Sequence, residues 1–285
     1  MFGAEWPLVI FTILVQMSVG LLIVSELACW AGGPAARDLL SGREVVALVL
    51  GGAGLVFSFA HLGMPWHSPF ALLNLGHSWL SREILCTSVF LGGLAVLTII
   101  RWTGAFAAFS RPVAVVTGLV GLASVFAMSR VYMLITVPAW NSPATLLNFA
   151  GAALLLGALA TGLLACFRPA EPRAPVARMI NLVLLVAALG LALKFVEVPI
   201  SLFDGGTVNA RGVSGISAVL AAGMELYVLG LVLLIAGAVL FVYAAINAWR
   251  SGLAGLSVAG AFVLVLAGEV VGRFMFFNMH VLIGL

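Results

Sequence analysis

The segment FAHLGMPWHSPFALLNLGHSWLSREIL, residues 59–85, decides how the chain is read. It holds three of the four histidines, an adjacent Arg82–Glu83 pair, two tryptophans, two prolines and two glycines. The flanking runs, 44–62 and 81–100, are apolar and carry charge only at their ends. A helix needs about 20 apolar residues to cross the hydrocarbon layer. The segment is therefore a polar connection between two membrane-crossing helices.

The rest of the chain repeats that pattern. Of its 285 residues, 64% are hydrophobic and 8% charged, whereas a soluble domain carries roughly 25% charged residues. Lipid must be the solvent for most of it. Apolar runs of spanning length fall at 8–31, 44–62, 81–100, 113–135, 144–167, 179–202, 214–247 and 255–283. The expected fold is an all-α polytopic membrane protein: one integral domain over residues 1–285, eight transmembrane helices in a bundle, both termini outside. The N-terminal MFGAEWPLVIFTILVQ lacks the basic leader of a cleaved signal and reads as a retained first helix. FRPAEPRAP, 167–175, is the only Pro-rich stretch.

Orientation follows from the basic loop residues. Arg37, Arg43, Arg101, Arg111, Arg168, Arg173, Arg178 and Arg250 fall in one set of loops, against only Arg82 and Arg211 in the other. The first set should be cytoplasmic, which puts residues 59–85 on the outer, periplasmic face. Lys194 is the one lysine beside twelve arginines, so neither a nucleic-acid patch nor a polybasic lipid-binding run is present. Cys29, Cys86 and Cys166 are scattered, without metal-ligand spacing.

That topology gathers the intramembrane charges. Arg82 and Glu83 open the third span, Arg130 and Tyr132 close the fourth, and Lys194 and Glu197 lie in the outer half of the sixth. Glu225 follows in the seventh; Glu269, Arg273 and His280 follow in the eighth. Glu26, toward the cytoplasmic end of the first span, is the exception. A charge at mid-membrane costs roughly 2.5–3.5 kcal/mol on the insertion scale, so such residues invite a functional reading. The plainer alternative is pairing along one helix, since Lys194/Glu197 and Glu269/Arg273 have the i, i+3 and i, i+4 spacings that bring partners together. Likewise His61 could merely cap a helix, and His67 and His77 could be ordinary surface residues. Independent structural pairs would not favour one leaflet. A polar pocket beneath the outer surface would.

Such a pocket suits a lipophilic substrate that exchanges protons. Oxidising a quinol releases two protons with two electrons; neutral His61 can take a proton near ambient pH. Glu83 could relay another outward, held ionised by Arg82 or Arg130. Two exits for the electrons remain open: a haem between His61 and His280, or direct transfer to a partner subunit docked outside. The second needs fewer parts.

The motifs then resemble a known family. HLGMP at 61–65, LNLGHSWLSREI at 73–84, SRVYMLITVPAW at 129–140 and AGEVVGRFMFFNMH at 267–280 are similar to the membrane anchor subunit of dimethyl sulfoxide reductase, and EWPLVIFTILVQ at 5–16 also fits. The resemblance implies a subunit without haem or iron–sulfur cluster of its own, bound to a four-cluster iron–sulfur subunit and a molybdopterin catalytic subunit in the cytoplasmic (inner) membrane. It would oxidise menaquinol for them, with His61 and Glu83 serving the quinol site. Arg82, Arg130, Tyr132, Glu269, Arg273 and His77 are further candidates for the pocket; no metal ligand is expected. Span seven, with Glu225 in GMELYVLG, departs from the family pattern. Two other readings stand beside this one: an anchor reducing quinone with electrons from a substrate such as sulfite, and a proton-coupled transporter. A transporter calls for charges or broken helices near the midplane, and the sequence shows no pair of Gly/Pro-broken spans and an almost bare inner leaflet.

Overall fold

The computed structural model describes residues 6–61, 70, 72–137, 139–167, 174–204, 215–247 and 254–279. Eight helices among them are long and apolar enough to cross a membrane. They are α1 (Trp6–Leu39), α2 (Arg43–His61), α3 (Trp79–Thr103), α4 (Ser110–Tyr132), α5 (Pro143–Ala165), α6 (Ala174–Asp204), α7 (Gly215–Asn247) and α8 (Ala254–Asn278). Short 3₁₀ turns at Leu72–Asn74 and Ala107–Phe109 precede α3 and α4. All eight expected spans are present, though α1 runs on to Leu39 and α4 stops at Tyr132.

Local chemistry sets the ends. The Ser78 hydroxyl accepts from the Ser81 N–H at 3.3 Å to start α3, and Ser142 does the same for Ala144 at 3.2 Å, just before Pro143 opens α5. Both satisfy backbone donors that a helix start leaves free. Gly104, left-handed at φ 70°, ends α3 with its N–H on Ile100 O at 3.0 Å.

α1 is the axis of the bundle. Of its most apolar stretch, 78% is buried, against 28–56% for the other spans. It packs on α2, α4, α5, α6 and α8, while α3 pairs with α4 and α7 with α8. Small residues make the central contact possible: a methyl on Gly20 would overlap the Ala153 carbonyl, and one on Gly157 would overlap the Gly20 backbone. With no hydrophobic drive between helices in lipid, such close backbone approach supplies much of the packing energy. Exposed Val115, Leu119, Leu185, Val239 and Val263 form parts of the lipid-facing surface.

Two helices are broken, contrary to the unbroken spans read from hydropathy. Gly33 in α1 (φ 63°, ψ −145°, followed by Pro34) and Gly223 in α7 (φ 105°, ψ 90°) leave helical geometry, at angles that glycine adopts without steric cost. Hydropathy misses them because glycine and proline change direction without adding charge. Both breaks lie within ten residues of a helix end, away from the midplane where a carrier would need them.

Candidate functional site

The helix order returns the ends of α1, α3, α5 and α7 that begin each span, and the ends of α2, α4, α6 and α8 that finish each span, to one face. At that face α3 begins with Trp79, whose ring carries two cations: the Arg82 guanidinium carbon lies 4.3 Å from its centroid and that of Arg130, from α4, 5.2 Å. Arg82 also folds back over the preceding turn, its Nε donating to Leu75 O at 2.9 Å and its Nη2 to Gly76 O at 2.7 Å. Arg130 turns its Nη1 toward Met133 Sδ at 3.7 Å.

Glu83 sits one turn deeper, only 4% exposed. The expectation that Arg82 or Arg130 holds its carboxylate is corrected: both guanidiniums are engaged at the Trp79 ring, and Glu83 makes no hydrogen bond or ion pair among the described residues. A buried carboxylate without a partner is costly unless it takes up a proton or finds water or ligand. Across the α3–α4 seam the Thr87 and Ser124 hydroxyls share a hydrogen bond of 2.7 Å, and Phe90 packs at Gly121. That antiparallel register puts Glu83 level with Met128. On α2, Gly51 meets Leu91 of α3, which sets the backbone of His61, the last residue of α2, near the level of Ser81. The side chain of His61, and all of His67 and His280, lie outside the described residues.

From Met128 a series of polar side chains spans the bundle. Gln16 of α1 donates through Nε2 to Met128 Sδ at 3.4 Å and accepts from Arg273 Nη2 of α8 at 2.8 Å. The Arg273 guanidinium lies over the Phe149 ring, 4.0 Å from its centroid. One turn deeper on α8, Glu269 pairs with Lys194 of α6 at 2.9 Å, and Lys194 also donates to Asn148 Oδ1 of α5 at 2.8 Å. The reading of these charges as pairs along single helices is corrected for Glu269 and Arg273, which form no ion pair with each other. The Lys194–Glu269 bond shows why: partners were chosen between helices, which spacing along one helix cannot reveal. Two buried polar atoms, Glu269 Oε1 and Arg273 Nη1, have no hydrogen-bond partner among the described residues. Each residue of this series lies within ten positions of its helix's end at the Trp79 face.

Tyr132 joins this series through aromatic packing. It meets Trp140, Phe149, Phe276 and Phe277 at centroid distances of 5.4–5.7 Å. The Trp140 indole donates to Phe276 O at 2.7 Å. Among the expected site residues, then, Tyr132 and Arg273 come together at Phe149, with Glu269 one turn deeper on α8, and Arg82 and Arg130 meet at Trp79. Glu83 lies deeper on α3, while His77 is exposed in the turn above it. Glu225 is exposed just beyond the Gly223 break. Gln16 and Asn148 were missed, because an uncharged amide inside an apolar run gives little signal beyond its own polarity.

The opposite face, which the sequence reads as almost bare, carries an ion cluster. Glu26 accepts from Arg43 Nε and Arg101 Nη2, both at 2.8 Å, and Arg101 Nη1 reaches Glu44 at 3.0 Å. Arginines counted as loop residues thus lie on helix ends and fold inward to neutralise Glu26. Beside them α1 and α4 border a cavity of about 630 Å³.

Eight spanning helices with a polar layer toward one face and an arginine cluster at the other define a multi-pass membrane protein. The protein belongs to the DMSO reductase anchor subunit family (DmsC), whose family model matches residues 2–279. It is 32% identical over 286 residues to the anaerobic dimethyl sulfoxide reductase subunit YnfH of Escherichia coli K12, covering 99% of this protein and 96% of that one. It is 29% identical over 294 residues to the C subunit of anaerobic dimethyl sulfoxide reductase from the same organism, again covering 99% and 96%. The C subunit of anaerobic dimethyl sulfoxide reductase from Haemophilus influenzae matches at 29% over 147 residues, 51% of this protein and 53% of that one. No solved structure matches.

Proposed function

We propose that this anchor subunit oxidises menaquinol at the Trp79 face and passes the electrons to an iron–sulfur subunit docked there, which feeds a molybdopterin catalytic subunit. The observation that carries the reading is Glu83: a carboxylate 4% exposed, with no partner among the described residues, at the level of the Gln16–Arg273 layer. Stability alone gives no reason to keep such a group, whereas a proton acceptor must be kept free to accept. Quinol gives up two protons and two electrons to become quinone. His61 and Glu83 take the protons and return them to the water outside the Trp79 face. The electrons leave for the partner's iron–sulfur clusters, which supply one-electron carriers. Arg82 and Arg130, stacked on Trp79, make the rim of the pocket, and Arg273, over Phe149, offers a cation beneath it. Positive-inside bias supports an arginine-rich face in the cytoplasm of the inner membrane and a Trp79 face in the periplasm.

Glu83→Gln tests this in the assembled complex. Loss of a general base is worth roughly 100-fold or more, so oxidation of a soluble quinol analogue should fall by that factor. Reduction of the terminal acceptor by an artificial dye, which bypasses the anchor, should be unchanged. Wild-type quinol oxidation in the variant would remove Glu83 from the mechanism.

A further inference from the structure

The cavity at the arginine-rich face belongs to no step above. Its wall nearest the bilayer is made of Leu27, Val115, Leu119 and Leu122, all exposed. It is therefore open sideways to lipid. Trp30, 80% exposed, stands at its rim, at the depth where indoles favour the membrane interface. Its charged lining is Glu26 with Arg37, Arg43, Arg101 and Arg111, and Ser110 adds a hydroxyl.

The charges there do not balance. Arg43 and Arg101 are matched by Glu26 and Glu44 in one ion cluster. Arg37 and Arg111, both exposed, make no ion pair or hydrogen bond among the described residues. Asp38, beside Arg37 in sequence, does not line the cavity. The Gly33 break and Pro34 turn the last part of α1 so that Arg37 comes to this rim, while Arg111 reaches it from the first turn of α4. Two unmatched cations thus stand over an apolar trough. Its size lies within the roughly 300–1,000 Å³ of small-molecule sites.

We infer that this cavity binds an anionic phospholipid, with its phosphodiester held between Arg37 and Arg111 and an acyl chain along Leu27, Val115, Leu119 and Leu122. A free phosphate would use the arginines but leave the trough empty. A zwitterionic lipid would fill the trough but bring its own cation to the arginines. Only a net negative headgroup on a hydrocarbon tail satisfies both halves. The lipid would fill the space between α1 and α4 next to the Glu26 cluster that ties α1, α2 and α3 together.

The test is native mass spectrometry of the full-length protein, purified, delipidated and titrated with defined probes. Dioleoylphosphatidylglycerol should bind with preference over dioleoylphosphatidylcholine. A basic residue near the headgroups is worth about fivefold in affinity, so Arg37→Gln with Arg111→Gln should weaken phosphatidylglycerol binding by about 25-fold. Phosphatidylcholine binding should not change. Val115→Trp, with both arginines in place, should block the trough and abolish the preference. All three positions are exposed, so the fold should survive; the Glu83→Gln variant should bind phosphatidylglycerol as the wild type does. Equal binding of the two lipids, or binding unaffected by either change, would overturn the assignment. So would competition by glycerophosphate as strong as that of the whole lipid, or displacement of the lipid by a short-chain quinone.

Discussion

Lys194 on α6 and Glu269 on α8, 75 residues apart in sequence, meet at 2.9 Å inside the bundle. Lys194 adds only the Asn148 carbonyl oxygen, and Glu269 Oε1 is left without a partner among the described residues. The pair joins helices that are linked in sequence only through α7. It fixes the distance between α6 and α8, and with it the height of Arg273 one turn further along α8.

Breaking one half of a buried pair strands the other charge, at a cost of about 3–5 kcal/mol. Lys194→Met or Glu269→Leu alone should therefore lower the thermal stability of the detergent-solubilised protein sharply. Changing both removes both charges, so the double variant should be more stable than either single one. If the losses simply add, the two groups are not coupled, and the bond between them carries no energetic weight.

The α1–α5 seam makes a second prediction. Because a Cβ on Gly20 overlaps the Ala153 carbonyl, Gly20→Leu must push α5 away from the central helix. Overpacking typically costs about 1–3 kcal/mol and sometimes more. Reduced accumulation and a lower melting temperature are expected. Gly52, which has open space around it, should accept alanine with little change. Equal tolerance at both positions would mean that the helices do not touch.

Orientation can be read with a membrane-impermeant thiol reagent. In a background lacking Cys29, Cys86 and Cys166, single cysteines at the exposed positions Ala105 and Asn141 probe opposite faces of the bundle. On intact spheroplasts, Asn141→Cys should label and Ala105→Cys should not until the membrane is opened. The reverse result would place the Trp79 face in the cytoplasm.

Much of this was legible in the sequence, for one physical reason: in lipid, twenty apolar residues specify a spanning helix almost by themselves. The eight spans followed. So did the gathering of Arg273, Glu269 and Tyr132 toward one face, because depth along a helix can be counted. Rotation about the helix axis cannot be counted in the same way. The alternative of pairing Lys194 with Glu197 and Glu269 with Arg273 along single helices therefore gave no hint that Lys194 reaches Glu269 and Arg273 reaches Gln16. Arg82 and Arg130 were assigned to Glu83, when the nearer attraction was the Trp79 ring. Gln16, which links α4 to α8 through Met128 and Arg273, drew no notice as one amide in VIFTILVQMSVG. The kink at Gly33, which brings Arg37 to the cavity rim, depends on a backbone angle of 63° that hydropathy cannot register.

The proposed geometry also constrains energy conversion. Glu83 lies four residues inside α3 from Trp79, so protons taken from quinol have a short route back to the Trp79 face. On the proposed function, acceptor reduction by subunits docked on that face would consume protons from the same water. Electrons and protons would then start and finish on one side, and no net charge would cross the bilayer. In proteoliposomes of the whole complex, turnover with a quinol analogue and a sulfoxide acceptor should leave a potential-sensitive dye unchanged while acceptor is consumed. A potential that grows with turnover and collapses on adding an ionophore would require charge movement across the bundle. The Gln16–Arg273–Glu269–Lys194 series would then be the first place to look for it, with Glu269→Gln expected to abolish the dye response before it abolished turnover.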